Sequence, residues 1–179
     1  MTAKKNILVI IGSASKNSAN QKLVDYFVGI MKDDFSCKIY KDLKTLPHFD
    51  PELSTDNPPN SIVEFRNAIS NADGVVICTP EYVFSIPSGL KNVIEWCVST
   101  TVFSDKPVGL ITASADGRKG HEELQLIMKT VMAKFTDETT MLIQGIKGKI
   151  NESGEITDHK IIDELTRFAQ SLKNLIRNG

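Results

Sequence analysis

Apolar residues recur along this chain in two alternating rhythms. Unbroken runs, rich in β-branched residues, stand at Ile7–Ile11 and Val75–Cys78, and a third core run extends from Pro107 to Ile111. Each stops at small or turn-forming residues, the pattern of strands buried on both faces. Between the runs the apolar spacing changes to three and four. Leu23, Val24, Phe27, Ile30 and Met31 follow Ser18-Ala19-Asn20, and Leu90, Val93, Ile94 and Cys97 follow Ser88-Gly89. Ile62, Phe65 and Ile69 follow Ser61, which the pattern makes the cap of a short helix. Leu124, Ile127, Met128 and Val131 follow the break at Ala113–Gly117. These spacings predict helices with one apolar face each. Cys37–Tyr40 reads as a weaker second strand, Thr140–Ile143 as a short edge strand, and Ile161, Ile162, Leu165, Phe168, Leu172 and Ile176 as a C-terminal helix. The stretch from Pro47 to Asn60 holds four of the seven prolines and reads as a surface loop.

Strands alternating with helices predict an α/β fold with right-handed crossovers. The best fit is a flavodoxin-like three-layer sandwich, a five-stranded parallel sheet of order 2-1-3-4-5, as one domain over residues 1–179. Ligands of such sheets sit beyond the carboxyl ends of the strands, where strand order reverses. That directs attention to the loops beginning at Gly12, Thr79 and Ala113.

Composition narrows the field by exclusion. The chain carries 21 basic and 22 acidic side chains, so it has no cationic excess to hold nucleic acid or an anionic membrane as a standing partner. Cys37, Cys78 and Cys97 are odd in number and lack C-x-x-C spacing, which predicts free, mostly buried thiols in a reducing compartment. The apolar run at Ile7–Ile11 is too short for a signal-peptide core or a membrane span, and a cytoplasmic location is expected. His48, His121 and His159 lie far apart with no ligand spacing, so no metal is expected. Surface positions are expected for all three, with His121 in a solvated turn beside Glu122 and Glu123; the alternative is that His121 touches a substrate. A phosphoacceptor receiver domain needs acidic residues where Gly12-Ser13 and Thr79-Pro80 stand, and a serine hydrolase needs a G-x-S-x-G elbow that the sequence lacks.

The first loop, Gly12 to Asn20, joins a core strand to a helix and offers hydroxyls at Ser13, Ser15 and Ser18 and an amide at Asn20. Free N–H groups and the positive end of a helix dipole make such a junction a natural phosphate site. The loop has neither G-x-G-x-x-G nor G-x-x-x-x-G-K-[ST], which leaves a phosphomonoester rather than NAD or ATP. The competing reading is a Ser18 N-cap with the other serines as filler. In the second loop Pro80 and Pro87 bracket Tyr82 and Phe84. A stiff backbone with an aromatic surface suits a flat heterocycle, while the alternative is that the rings pack the top of the sheet.

Pro80, Glu81, Tyr82, Ser85, Pro87, Leu90, Lys91, Asn92, Ile94, Glu95 and Trp96 resemble the P-E-Y-N-x-S-x-P-G-x-L-K-N-x-I-[DE]-W signature of the NADPH-dependent FMN reductases, a group that includes quinone, azo-dye and chromate reductases. Gly12, Ser13, Ser18 and Asn20 are similar to that family's G-S-x-R-x-x-S-x-N. The resemblance implies FMN as cofactor and NADPH or NADH as donor. Ser13, Ser15, Ser18, Ala19 and Asn20 would surround the phosphate, with the Ser18 and Asn20 side chains at a solvent-facing rim. Pro80, Glu81, Tyr82 and Val83 would line the ring and ribityl side, and Ser114, Asp116, Gly117 and Gly120 the pyrimidine edge. Three positions depart from the pattern: Ser15 stands for the family Arg, Val83 for the Asn after Tyr, and Ser88 for a Gly, with Gly89 beside it to carry the turn one residue later. One phosphate cation and one polar contact are thereby missing; Lys16 either supplies the charge or is solvated.

The family resemblance also implies a homodimer or homotetramer, with Val93, Trp96 and Cys97 giving apolar contact area to the interface; a core-facing Trp is the alternative. Lys91 and Glu95 stand one turn apart and are expected to pair. The activity implied is a two-electron, ping-pong hydride transfer to a small acceptor (quinone, azo, nitro, chromate or free flavin), with no catalytic side chain because the flavin carries the chemistry. Two other classes stay open: an electron carrier of the flavodoxin type, which near-neutral charge counts against, and a flavin-free binding module left by the changes at 15 and 83.

Overall fold

The computed structural model describes residues 4–178. The apolar runs form five parallel strands, β1 (Lys5–Ile11), β2 (Phe35–Tyr40), β3 (Gly74–Thr79), β4 (Val108–Ser114) and β5 (Thr140–Gln144), in the order β2-β1-β3-β4-β5 that the alternation predicts. β3 is central and buried along its whole length, so its alternate side chains feed two separate cores. On one face Val9, Val76 and Ile111 pack under α1 (Ala19–Met31) and α6 (His159–Asn178). On the other Leu8, Ile77 and Leu110 pack under α3 (Asn60–Ser70), α4 (Ser88–Glu95) and α5 (Arg118–Thr130). Among the described residues no helix is long and apolar enough to cross a membrane.

Several local expectations are corrected. β4 continues to Ser114, three residues past the expected end, because Thr112, Ala113 and Ser114 pair with β5 at Leu142, Ile143 and Gln144. Ser61 is not a cap: α3 starts at Asn60, and the Pro59 carbonyl accepts from the amides of Ile62 and Val63. The Pro47–Asn60 stretch contains a short helix, α2 (Pro51–Ser54), capped by Asp50, whose carboxylate accepts from Glu52 N at 2.9 Å.

Trp96 is fully buried, and so in effect are Val93 and Cys97; the apolar face of α4 therefore points into this chain's own core rather than at a partner. The indole Nε1 donates to Pro47 O (2.9 Å), as does Asn92 Nδ2 (2.9 Å), and Phe49 stands edge-on to the Trp96 ring. The Arg66 guanidinium, itself buried, donates from Nε to Trp96 O (2.9 Å) and from Nη2 to Ser54 O (2.9 Å) and to the hydroxyls of Ser54 and Ser99 (both 3.1 Å), joining α2, α3 and the end of α4. Lys91 and Glu95 pair at 2.7 Å as expected, on the solvent side of the same helix. All three cysteines are free thiols; burial pushes Cys97 up to about 12, against the opposing pull of Arg66, and also raises Cys78, so neither forms a thiolate near neutrality.

Replacing Trp96 with Ala leaves a large cavity and removes one of the two donors to the Pro47 carbonyl, so the urea unfolding free energy should fall by about 3–5 kcal/mol. A midpoint unchanged from wild type would place the indole outside the core.

Candidate functional site

Three loops leave the carboxyl ends of β1, β3 and β4 side by side. The first begins at Gly12, whose amide donates to Cys78 O (2.9 Å) and whose position against β3 leaves no room for a side chain: a Cβ there would run into the Thr79 side chain. Beyond it the chain is exposed from Ala14 to Asn17, and Asn17 takes a positive φ of 54° to turn into Ser18. Ser15 N donates to Ser13 Oγ at 3.3 Å, but the amides of Ser13, Ala14, Lys16 and Asn17 meet no acceptor among the described residues. Ser18 is the N-cap of α1, its Oγ accepting from Gln21 N (3.2 Å), as one half of the competing reading expects. That bond uses a lone pair and leaves the hydroxyl proton free to donate.

Asn20 does not sit at the rim. It is 4% exposed, its Nδ2 donates to Ala113 O (3.2 Å) and its Oδ1 accepts from the Cys78 thiol (3.3 Å). An amide one turn into a helix that packs on the sheet faces inward, so Asn20 latches the start of α1 to the ends of β3 and β4. Ala19 lies half-buried between this latch and the cap.

The second loop is pinned at both ends. Pro80 is buried, and the Glu81 carboxylate accepts from Gly120 N (2.8 Å) in the first turn of α5, where its charge also suits the helix dipole. In return Glu123 accepts from Ile86 N (3.2 Å). Gly120 suits this approach, since a Cβ there would lie 3.1 Å from Glu81 Cβ and push the loop back by a few tenths of an ångström. Tyr82 and Ser85 exchange backbone bonds (2.9 and 3.1 Å) around a two-residue turn in which Val83 and Phe84 both have positive φ, 52° and 59°. Positions of that kind favour Asn and Gly and disfavour β-branched residues. The family Asn at 83 thus has a backbone reason, and Val83 strains the tip, where it is 94% exposed and Phe84 73%.

Ser114 ends β4 and its Oγ donates to Glu81 O (3.4 Å), linking the third loop to the second. Asp116 Oδ1 accepts from Arg118 Nε (2.9 Å) and Gln144 Nε2 (2.6 Å), so its carboxylate is held inside the loop. Gly117 precedes α5 with φ 85°, and the amides of Asp116 and Gly117 find no acceptor among the described residues. His121, expected in a solvated turn, is instead half-buried with Nδ1 at 2.9 Å from Thr112 Oγ1 beneath α5; burial lowers its pKa, against the weaker opposing pull of Glu122. His48 and His159 are exposed.

A cleft of about 540 Å³ opens beside these loops. Ser13, Ser15 and Tyr82 line it, whereas Ser18, Ala19, Asn20, Pro80, Glu81, Val83, Ser114, Asp116 and Gly117 do not. Its far wall is the segment after β2, with Lys41, Asp42, Leu43, Lys44, Leu46 and His48, and its floor includes Pro87–Gly89 and Asn92. The expected three-loop site omitted that wall. Its signal was the same carboxyl-edge rule applied to β2, whose end also reaches this edge. Among the described residues no three His, Cys, Asp or Glu side chains are grouped to hold a metal ion.

The family model for NADPH-dependent FMN reductase matches residues 5–144. Among curated proteins, the NADH:(hydroxy)cinnamate reductase subunit CrdA of Vibrio ruber is 30% identical over 172 residues, covering 90% of this chain and 84% of that protein. A quinone reductase of Escherichia coli K12 is 29% identical over 175 residues, covering 93% and 92%. Among solved structures, FerB, a flavoenzyme NAD(P)H:(acceptor) oxidoreductase of Paracoccus denitrificans, superposes with a TM-score of 0.80 at 24% identity over 97% of this chain and 98% of that one, a likeness of fold.

Because the folded protein holds the His121 imidazole below its ordinary value of 6.5, it binds fewer protons than the unfolded chain as pH falls through that value. The His121 contribution to stability should therefore be complete above pH 6.5 and shrink below it. Thermal midpoints of wild type and His121→Gln should converge between pH 7 and pH 5, and a difference that does not change with pH would contradict the buried, neutral ring.

Proposed function

The chain belongs to the NADPH-dependent FMN reductase family, and from that premise we propose an FMN-dependent oxidoreductase that takes two electrons from NADPH or NADH and delivers them to a small acceptor of the quinone, azo, nitro, chromate or free-flavin class. Donor and acceptor would use the one cleft in turn, a ping-pong order. The observation that carries the reading is the row of acceptor-less amides at the first loop, set beside three serine hydroxyls and the positive end of α1.

The residues present fit the cofactor. Amides of Ser13, Ala14, Lys16 and Asn17 with the hydroxyls of Ser13, Ser15 and Ser18 form a donor set in a loop that itself carries no carboxylate, the chemistry a phosphomonoester needs. Hydrogen bonds to a charged group contribute about 1.5–3 kcal/mol each and the helix dipole about 0.3–1 kcal/mol, so the donors outweigh the loss of the family Arg at Ser15. Tyr82 would present the surface for the ring, with the buried Pro80 fixing the backbone before it, and the free amides of Asp116 and Gly117 would meet a polar ring edge. Glu81 and Asn20 act as positioning residues, holding the second loop and the first helix in place. Bound FMN would supply the two-electron hydride chemistry that links a nicotinamide donor to the acceptor. The chain's own part is to grip, orient and leave one side open; no side chain is required to move a proton.

We place the protein in the cytoplasm, where its free thiols stay reduced, and propose a homodimer. With Trp96 internal, a partner copy would meet exposed apolar residues such as Val83, Phe84, Val98, Leu126 and Met132.

Anaerobic NADPH should bleach the yellow reconstituted protein within seconds, and a panel of acceptors should restore the colour at rates that identify the preferred class; a flavin that stays oxidised would point to a carrier, and a colourless protein after FMN addition to a flavin-free module. Ser13→Ala with Ser18→Ala should weaken FMN binding about tenfold to a hundredfold in a fluorescence titration, with the circular dichroism spectrum unchanged. Unaltered affinity would remove the hydroxyls from the cradle.

A further inference from the structure

The cleft wall after β2 is basic, and nothing in the fold uses its charge. Lys41 and Lys44 lie on one side and Lys16 on the other; all three are exposed, and none forms a salt bridge among the described residues. Asp42 is the single carboxylate lining the cleft, and His48 the single histidine. The surplus is therefore cationic, at a position the phosphate cradle does not need, because the cradle's donors are amides and hydroxyls of the first loop.

The wall is also rigid. Leu43 and Leu46 are buried in the core beneath α4, and Leu43 Cβ approaches Gly89 closely enough that a Cβ there would be 3.7 Å away. Phe49 N donates to Asn92 Oδ1 (2.7 Å), while Asn92 Nδ2 and Trp96 Nε1 both donate to Pro47 O. The backbone that carries Lys41 and Lys44 is thereby fixed, so their flexible side chains are kept on this side of the cleft.

Resting on the reading above, we infer that this basic wall is the docking subsite for a phosphate of the pyridine dinucleotide donor. Strands lie about 4.8 Å apart, so with β1 between them the ends of β3 and β2 are about 10 Å apart. A donor whose nicotinamide lies by Tyr82 over β3 must extend past β1 to be held, and Lys41 and Lys44 mark where its charged portion arrives. Two phosphates have the required chemistry, the pyrophosphate bridge present in both dinucleotides and the 2′-phosphate present in NADPH alone.

The test uses the FMN-loaded protein and the unreactive oxidised dinucleotides NADP⁺ and NAD⁺, titrated calorimetrically into wild type and Lys41→Gln/Lys44→Gln. Loss of two exposed charge-assisted contacts should raise the dissociation constant about tenfold, with the difference shrinking as salt is added. A rise for both ligands assigns the pyrophosphate, a rise for NADP⁺ alone the 2′-phosphate, and either supports the subsite. FMN affinity of the apoprotein should stay at the wild-type value. Weakened FMN binding, with or without weaker dinucleotide binding, overturns the inference by giving the lysines to the cofactor's own phosphate, and so does a variant that binds every ligand like wild type. Failure of the underlying functional reading looks different, since wild type itself would then retain no FMN or, as a carrier, bind neither dinucleotide.

Discussion

Backbone amides without acceptors, held at the carboxyl edge of a parallel sheet, are the constraint around which the rest of this protein is arranged. An N–H that makes no bond is costly once buried, so such donors are kept at the surface, where water or a ligand can accept from them. Here the amides of Ser13, Ala14, Lys16 and Asn17 meet no acceptor among the described residues, while β1 behind them is anchored in the core. Keeping such a loop open requires fixing everything next to it. The Asn20 latch fixes the helix side, the absence of a side chain at Gly12 fixes the strand side, and the Ser18 cap sets the angle between them.

The neighbouring loops follow the same rule of bonds made at the flanks and donors left free at the tip. Glu81 on Gly120 and Glu123 on Ile86 bind the second loop to α5 by two carboxylate–amide contacts, each of a kind stronger than a neutral hydrogen bond. The strain at Val83 is tolerated because this pinning over-determines the turn. On the opposite side, Asn92 and Trp96 stitch the segment after β2 to α4. The site is therefore assembled by side chains that have little to do with ligand, which explains why a long signature around the second loop accompanies so few groups free for binding.

Much of this was legible in the sequence because burial on two faces leaves a plain mark. Ile7–Ile11 and Val75–Cys78 could be read as core strands, and with them the sheet order and the ligand edge. The orientation of single polar or amphipathic side chains was not legible. Asn20 and Ser18 are two residues apart, yet one faces inward and the other outward, and helical spacing alone does not say where a helix begins relative to the sheet. Trp96 looks the same in sequence whether its indole finds a carbonyl at Pro47, 49 residues away, or a partner chain. His121 beside Glu122 and Glu123 reads as solvated until Thr112 is seen beneath it. The Lys41–Lys44 wall was missed because β2 is the weakest strand in pattern, and attention stayed on the three stronger ones.

The central claim is that the first loop holds a phosphate, not simply a ring. Comparing FMN with riboflavin, which has the same ring and ribityl chain but no phosphate, isolates that term in one titration of the apoprotein. The account requires FMN to bind at least about a hundredfold more tightly, the equivalent of two charge-assisted hydrogen bonds. Equal affinities for the two ligands would mean that the loop amides hold nothing.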